Sequence, residues 1–231
     1  MLNDLRTDMI FWRRRKTVLY FSWSGAVGVH GIKHRVVIEA NHPARLMKEI
    51  GDFLDDDAVV IADGGDTQVW TMLGLEVSKP GHMLSSGPFG CLGEGIPFAL
   101  AAKLRYPEKQ VLTTMGDGSA GLNLTAFNTA VRFDLPIVMV ISNDCSWGMI
   151  RHSQNAAYGP GRLVGCELGD VPYEKIAEAL GGHGERVDRS EEIGPAFERA
   201  FASKKPACLN VYTDREVGTP MGLMLSQLRG Q

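Results

Sequence analysis

Two short segments combine residue types that bind charged ligands. They are Gly116-Asp117-Gly118-Ser119 and Asn143-Asp144-Cys145-Ser146-Trp147-Gly148-Met149. Glycines let the backbone approach a bulky anion, and a loop that leads into a helix N-terminus suits a phosphate group. Gly-Asp-Gly alone is also a common turn, but a second polar cluster at the end of the next predicted strand favours a binding site.

The aspartates of these segments, Asp117 and Asp144, predict a metal ion. The stretch between them has room for one helix and one strand, so their carboxylates could emerge side by side at neighbouring strand ends. Two carboxylates beside a bound phosphate would repel each other unless a cation lay between them. Hard oxygen ligands next to a diphosphate favour Mg²⁺, which binds few protein groups and keeps phosphate oxygens and water as further ligands.

Alternating helices and strands must position these segments. Short apolar runs rich in β-branched residues predict strands, and apolar residues at helical spacing predict helices. The predicted strands are 58–62, 111–115, 137–142 and 207–212, and the predicted helices are 43–54, 93–104, 124–133, 172–180 and 190–202. This order implies an α/β fold with right-handed crossovers: a doubly wound, mainly parallel sheet with helices on both faces. Ligands bind beyond the carboxyl ends of such strands, where Asp63-Gly64-Gly65 adds a third polar cluster.

Three ordered motifs resemble one enzyme family. The stretch 116–149, GDGSAGLNLTAFNTAVRFDLPIVMVISNDCSWGM, is similar to the thiamine diphosphate motif, and SSGPFGCLGEGIPFALAAKL resembles the Gly-rich segment of acetolactate synthase and its decarboxylase relatives. DGGDTQVW is similar to the segment that contacts the diphosphate. The resemblance extends from about residue 39 to about residue 215. It implies the thiamine-diphosphate-binding fold, with thiamine diphosphate and Mg²⁺ as cofactors.

The resemblance also implies which residues form the site. Asp117 and Asp144 would bind Mg²⁺ through their side chains, and Ser146 would bind it through its main-chain carbonyl. The cofactor-binding residues would be Gly65, Asp66, Thr67, Gly90, Leu92, Gly116, Gly118, Ser119, Gly148 and Met149. Within this set, Gly90 would offer its carbonyl to the aminopyrimidine, and Leu92 would hold the cofactor in its bent form unless it is an ordinary core residue.

The sequence departs from the family pattern at two of these positions. Asp144 replaces the commoner Asn, which adds a negative charge beside the metal. Asp66 stands where relatives often carry a neutral amide near the diphosphate. The diphosphate would repel Asp66 unless a main-chain amide or a cation faces its carboxylate, or unless the side chain points away.

Other reactive residue types have simpler interpretations. Cys91 and Cys145 lie in the predicted pocket loops, and we expect small wall residues rather than nucleophiles because the chemistry belongs to the cofactor. Glu94 is read as a helix-start residue, and Trp147 as either a substrate-side wall or packing. The histidines at positions 82, 152 and 183 have no metal-ligand spacing and are expected to be solvated or core residues.

The resemblance leaves part of an active site unaccounted for. The family takes its catalytic glutamate from a separate pyrimidine-binding domain, so no catalytic residue is assigned to this chain. The chain is read as residues 39–231, the diphosphate-binding domain, preceded by an atypical basic and aromatic tail at 1–38. Residues 1–40 carry seven basic and three acidic side chains, although the whole 231-residue chain has a net charge of −3. The tail could be a remnant of a longer gene or could dock onto a partner chain.

Composition restricts the remaining classes of function. A near-neutral charge argues against nucleic-acid binding, and no apolar stretch is long enough to span a membrane. Four scattered cysteines suggest a reducing cytoplasm, while the basic and apolar stretch at 13–29 is a weak imitation of a signal peptide. A nucleotide-binding Rossmann protein is a further alternative, but its glycine motif is missing after the first strand.

We therefore expect the diphosphate-binding domain of an acetolactate synthase-like enzyme that acts on a small 2-oxo acid. Carboligation, a transferase reaction, is the first expectation, and decarboxylation, a lyase reaction, is the second. Activity would require a pyrimidine-binding domain from a partner chain or from another subunit of a homo-oligomer. The alternatives are a catalytically incomplete truncated module, or one subunit of a split 2-oxo acid decarboxylase.

Overall fold

The computed structural model describes residues 42–219 and two strands that precede them. These strands, β1 (Asp8–Arg13) and β2 (Thr17–Ser22), form an antiparallel pair. The boundary predicted at residue 38, the signal-like stretch beyond residue 22 and residues 220–231 lie outside the described residues. None of the described helices is long and apolar enough to cross a membrane.

A six-stranded parallel sheet forms the centre of the fold. Its strands are β3 (Val59–Asp63), β4 (Met83–Leu84), β5 (Val111–Gly116), β6 (Val138–Asn143), β7 (His183–Val187) and β8 (Ala207–Tyr212). They lie in the order β4-β3-β5-β6-β8-β7, and every neighbouring pair is parallel. The parallel α/β sheet expected from the sequence is confirmed, and its four longest apolar strands are the four predicted ones.

Helices connect the strands and cover the sheet. They are α1 (Pro43–Phe53), α2 (Gly65–Gly74), α3 (Gly95–Arg105), α4 (Asp117–Asn123), α5 (Phe127–Arg132), α6 (Gly148–Tyr158), α7 (Tyr173–Ala179) and α8 (Ile193–Ala202). Pro43 begins α1, where the missing amide proton of proline costs no hydrogen bond. Glu94 immediately precedes α3, in agreement with its interpretation as a helix-start residue.

The two faces of the sheet carry separate apolar cores. Alternate residues of β3 point to opposite faces, so Val60 packs with α1 and α8 whereas Ile61 packs with α3, α5 and α7. Every residue of β3 is buried, which explains why its sequence is apolar up to Asp63 rather than alternating. Because helices cover the central strands, their carboxyl ends are the place for a ligand.

Candidate active site

A cavity of about 320 Å³ lies at the carboxyl ends of β3, β5, β6 and β8. All thirteen residues expected to bind the metal or the cofactor line it. These are Gly65, Asp66, Thr67, Gly90, Leu92, Gly116, Asp117, Gly118, Ser119, Asp144, Ser146, Gly148 and Met149. The structure thus brings together residues from four separate stretches of sequence, in a space of the size that holds a small-molecule ligand.

Asp117 and Asp144 meet because their strands are neighbours. Asp117 follows β5 and Asp144 follows β6, and the two strands pair directly. Asp117 is only 2% exposed, and its Oδ2 has no hydrogen-bond partner among the described residues. Burial and the nearby charge of Asp144 raise the pKa of Asp117 to about 8. Burial also raises the pKa of Asp144, so the pair holds a proton near neutral pH where a cation could replace it.

The loop that carries Asp144 has a defined shape. Asn143 Oδ1 accepts a hydrogen bond from the Cys145 amide at 2.9 Å, and Asp144 Oδ1 accepts one from the Ser146 amide at 3.1 Å. Cys145 adopts a left-handed conformation with φ of 57°. A side chain at Gly148 would collide with Asp144 Oδ2, so this position requires glycine. These constraints fix the direction in which the Asp144 carboxylate points.

The main chain at Ser146 is oriented by a short bridge to a later segment. The Trp147 amide donates to the Cys166 carbonyl at 2.8 Å, and the Leu168 amide donates to the Cys145 carbonyl at 3.0 Å. These bonds flank Ser146 and do not use its carbonyl, which is the group expected to bind the metal. The Ser146 hydroxyl is buried without a hydrogen-bond partner in the described part of the chain.

Asp63 joins three segments of the site, although its sequence marks it only as part of the polar cluster Asp63-Gly64-Gly65 and gives it no individual role. Its carboxylate accepts hydrogen bonds from Ser119 Oγ at 2.6 Å and from the amides of Gly93 and Gly95 at 3.2 and 2.9 Å. Burial raises the pKa of Asp63 to about 6. The Ser119 hydroxyl also accepts from the Gly93 amide, so it is used to hold the loop that carries Leu92.

Asp66 does not face the cavity as an unpaired charge. Its Oδ2 lies 2.8 Å from His152 Nδ1, and its Oδ1 accepts a hydrogen bond from Thr219 Oγ1 at 2.8 Å. The second ring nitrogen of His152 lies 2.9 Å from the Arg215 carbonyl. Burial lowers the pKa of His152, but its bonds to Asp66 and to this carbonyl outweigh burial and raise the pKa overall. His152, expected from the sequence to be a solvated or core residue, therefore pairs with Asp66, and its raised pKa favours the positively charged form.

The segment after β8 forms one wall of the cavity. Its lining residues are Thr213, Asp214 and Val217. The Thr213 amide donates to the Asn143 carbonyl at 2.9 Å, while Arg151 donates to the Arg215 carbonyl at 2.8 Å and to Glu216 at 2.6 Å. No local sequence signal marks this wall, because its bonds join residues more than sixty positions apart.

The sequence also drew attention to four other residues near the cavity: Trp147, Cys91, Cys145 and Leu92. Trp147 lines the cavity and packs on Gly118, where an added Cβ would lie 2.5 Å from the indole ring. Cys91 is exposed and Cys145 is half-buried, and burial raises the pKa of the Cys145 thiol. A raised pKa disfavours the thiolate, so Cys145 is poorly suited to be a nucleophile. Leu92 is 40% exposed at the cavity, which is more than an ordinary core leucine.

The site offers oxygen atoms that fit one divalent cation, whose remaining ligands would come from a bound small molecule. Within residues 42–219 and the two preceding strands, no group of three or more His, Cys, Asp and Glu side chains is placed to bind a metal. Asp117 is buried with one unpartnered oxygen and Asp144 is half-buried, and such a pair fits Mg²⁺, which needs few protein ligands when phosphate oxygens complete its shell. The residues present therefore fit a magnesium diphosphate group.

A family model described as the C-terminal TPP binding domain of thiamine pyrophosphate enzymes matches residues 63–211. The chain belongs to this family. The match begins at Asp63 and includes the cavity loops that follow β3, β5 and β6. The family and fold implied by the sequence motifs are confirmed.

Curated relatives of this TPP binding domain include acetolactate synthases. The chain is 42% identical over 179 residues to a probable acetolactate synthase of Mycobacterium bovis and, equally, to an acetolactate synthase large subunit of Mycobacterium tuberculosis. Each match covers 78% of this chain and 32% of the relative. A pyruvate oxidase of Lactiplantibacillus plantarum is 30% identical over 158 residues, which cover 68% of the chain and 26% of that protein. The chain thus spans about a third or less of the length of these relatives.

Proposed function

We propose that this domain binds thiamine diphosphate together with Mg²⁺ and forms the diphosphate-binding half of an active site for 2-oxo acids. The observation that carries the proposal is the pair of buried Asp117 and half-buried Asp144, which lines a cavity together with every residue expected to touch the cofactor. When bound, thiamine diphosphate supplies carbanion chemistry at a keto carbon, which protein side chains cannot supply themselves. Carboligation of the acetolactate synthase type is the first expectation and decarboxylation the second.

Different residues around the cavity would bind Mg²⁺ and the diphosphate group. Asp117 and Asp144 would hold Mg²⁺ with the Ser146 carbonyl. The main-chain amides of Gly118 and Ser119 would meet the diphosphate, and Gly148 begins the eleven-residue helix α6, whose N-terminus favours an anion. Protonated His152 would offset the charge of Asp66, so this departure from the family pattern is compatible with a bound diphosphate.

The other half of the site would come from a pyrimidine-binding domain. Among the described residues that line the cavity there is no glutamate, the residue that the family uses on the aminopyrimidine. Phe89 is 91% exposed beside the cavity loop, and Leu92 is 40% exposed on it. Such apolar surface is typical of an interface that another domain covers. A partner chain or a second copy of the full protein would supply that domain.

Thermal melting with thiamine diphosphate and Mg²⁺ tests cofactor binding. A ligand that binds only the folded state raises the melting midpoint, so the wild type should melt at a higher temperature when both are added. The shift should vanish in Asp117→Ala and survive in reduced form in Asp144→Asn. No shift in the wild type at high cofactor concentration, even with a pyrimidine-binding partner present, would refute the proposed function.

Turnover of pyruvate tests whether this chain carries only the diphosphate-binding half of the active site. The purified chain alone should show no turnover, and activity should require a pyrimidine-binding domain that carries its glutamate. Formation of acetolactate in the mixture would support carboligation, and formation of acetaldehyde would support decarboxylation. Pyruvate turnover by the chain alone would contradict the need for a second domain.

A further inference from the structure

The first turn of α7 lies behind the metal site and contacts one of its loops directly. Tyr173 is buried, and its hydroxyl donates a hydrogen bond to the main-chain carbonyl of Asp117 at 2.8 Å. Tyr173 does not line the cavity. It therefore holds Asp117 from the side opposite the carboxylate, across 56 positions of sequence.

The next residue of α7 reaches the second loop through two buried amides. Glu174 Oε2 accepts a hydrogen bond from Asn210 Nδ2 at 2.8 Å, and Asn210 Oδ1 accepts one from Asn143 Nδ2 at 2.9 Å. Asn143 in turn holds the Cys145 amide at 2.9 Å. Asp144 lies between these last two residues, so the chain of bonds from Glu174 ends on the loop that carries the second carboxylate.

The position of this turn is itself fixed by close packing. A Cβ placed on Gly184 of β7 would collide with the main-chain carbonyl of Glu174, so helix and strand are in direct backbone contact. Glu174, Asn210 and Asn143 are all buried, and water does not compete for their hydrogen bonds. Two adjacent residues on one rigid turn thus connect to both metal-binding loops.

We propose that the first turn of α7 sets the distance between the Asp117 and Asp144 carboxylates, with Tyr173 and Glu174 as positioning residues. This inference rests on the proposed binding of a divalent cation. The hydrogen bonds of Tyr173 and Glu174 connect both loops to one rigid turn, so the separation of the Asp117 and Asp144 carboxylates should depend on that turn. Mg²⁺ demands near-ideal octahedral geometry at short distances, whereas Ca²⁺ accepts longer and more variable ones. A fixed separation should therefore matter more for Mg²⁺ than for Ca²⁺.

Metal selectivity in thiamine diphosphate binding tests this inference. The full chain is titrated with the cofactor at a series of Mg²⁺ or Ca²⁺ concentrations, in the wild type, Tyr173→Phe and Glu174→Met. Loss of a positioning residue should raise the apparent Kd for Mg²⁺ by about tenfold. The Kd for Ca²⁺ should change by less than about threefold because its ligand geometry is flexible. A role in folding alone would lower the melting temperature without changing the ratio of the two affinities.

Two control variants sharpen the test. Glu174→Gln keeps an acceptor oxygen for Asn210 and should retain the selectivity of the wild type, and Tyr158→Phe removes a hydroxyl from an exposed tyrosine and should do the same. Equal losses for Mg²⁺ and Ca²⁺, or no loss, would overturn the inference while leaving cofactor binding intact. If the wild type fails to bind the cofactor in the presence of either Mg²⁺ or Ca²⁺, the proposed function is refuted, and the inference is refuted with it. Tyr173→Phe decides alone if Glu174→Met does not fold.

Discussion

Asp117 is buried and Asp144 is half-buried at neighbouring strand ends, and this pair should make the proposed metal binding depend on pH. Burial and repulsion raise the pKa of Asp117 to about 8, so a cation must displace a proton at neutral pH. The affinity for Mg²⁺ with thiamine diphosphate should rise with pH until about 8 and then level off, as measured by titration calorimetry. Asp144→Asn removes the repelling charge, which lowers the pKa of Asp117 and should flatten this dependence. A wild-type affinity that does not change between about pH 6 and 8 would contradict the interpretation.

His152 should make the stability of the domain depend on pH. Hydrogen bonds to Asp66 and to the Arg215 carbonyl outweigh burial and raise the His152 pKa in the folded state. The resulting stabilisation is complete below the ordinary histidine value of 6.5 and is lost as pH rises through the folded-state pKa. As pH rises above 6.5, the free energy of unfolding should therefore fall less steeply in Asp66→Asn than in the wild type.

Denaturant unfolding at several pH values measures this difference. Asp57→Asn is the matched control, because ion pairing lowers the pKa of Asp57 and its charge is constant over the range. Wild-type and Asp66→Asn curves that remain parallel above pH 6.5 would show that the pair does not shift the His152 pKa.

At the scale of elements, the end of β3 organises the Gly-rich loop. Asp63→Ala would leave Ser119 Oγ and the Gly95 amide without their acceptor in a buried space, while the Gly93 amide would keep only its bond to Ser119 Oγ. An unsatisfied buried polar group costs about 1–3 kcal/mol, so we expect a loss of about 2–4 kcal/mol in the free energy of unfolding. Urea denaturation provides the measurement.

A surface aspartate gives the comparison for this variant. Asp57 pairs with Lys79 and Lys109 and its side chain is 43% exposed, so Asp57→Ala should lower the free energy of unfolding much less than Asp63→Ala. Equal losses in the two variants would mean that Asp63 does not hold the loop.

The central elements were predictable because their sequences agree with their environment. The strands β3, β5, β6 and β8 are covered on both faces. Because such burial requires apolar side chains, their sequences contain the apolar runs from which the strands are predicted. The same patterns placed the two aspartates at neighbouring strand ends. All thirteen candidate residues line one cavity, although their individual roles in binding stay predictions.

Other elements gave no comparable signal. The edge strand β7 has one neighbour in the sheet and a polar sequence, HGERV, so no apolar run marks it. Helix α6 is polar and mostly half-buried, with only His152 fully buried. Asp63 and Tyr173 act through bonds to residues far away in sequence, which composition and spacing cannot reveal. Tertiary contacts, rather than local propensity, decide these parts of the structure.

At the scale of the whole molecule, the parallel sheet explains why the loops of the site converge. Four strands end at the same edge, and the loops after them carry the proposed metal ligands, the glycines proposed to bind the diphosphate and the wall at 213–217. The family match covers this unit, and the chain spans about a third of the acetolactate synthases to which it is similar. Cofactor binding is therefore the property to test on this chain before turnover.

Calorimetric titration of thiamine diphosphate into the full chain, with and without Mg²⁺, shows whether the domain binds the cofactor through a metal ion. We expect saturable binding of one cofactor per chain that requires Mg²⁺, and loss of that binding in Asp117→Ala. The surface variant Asp57→Ala should bind like the wild type. Binding that persists without a divalent cation, or that is unchanged in Asp117→Ala, would contradict the assignment of Asp117 and Asp144 as the metal site.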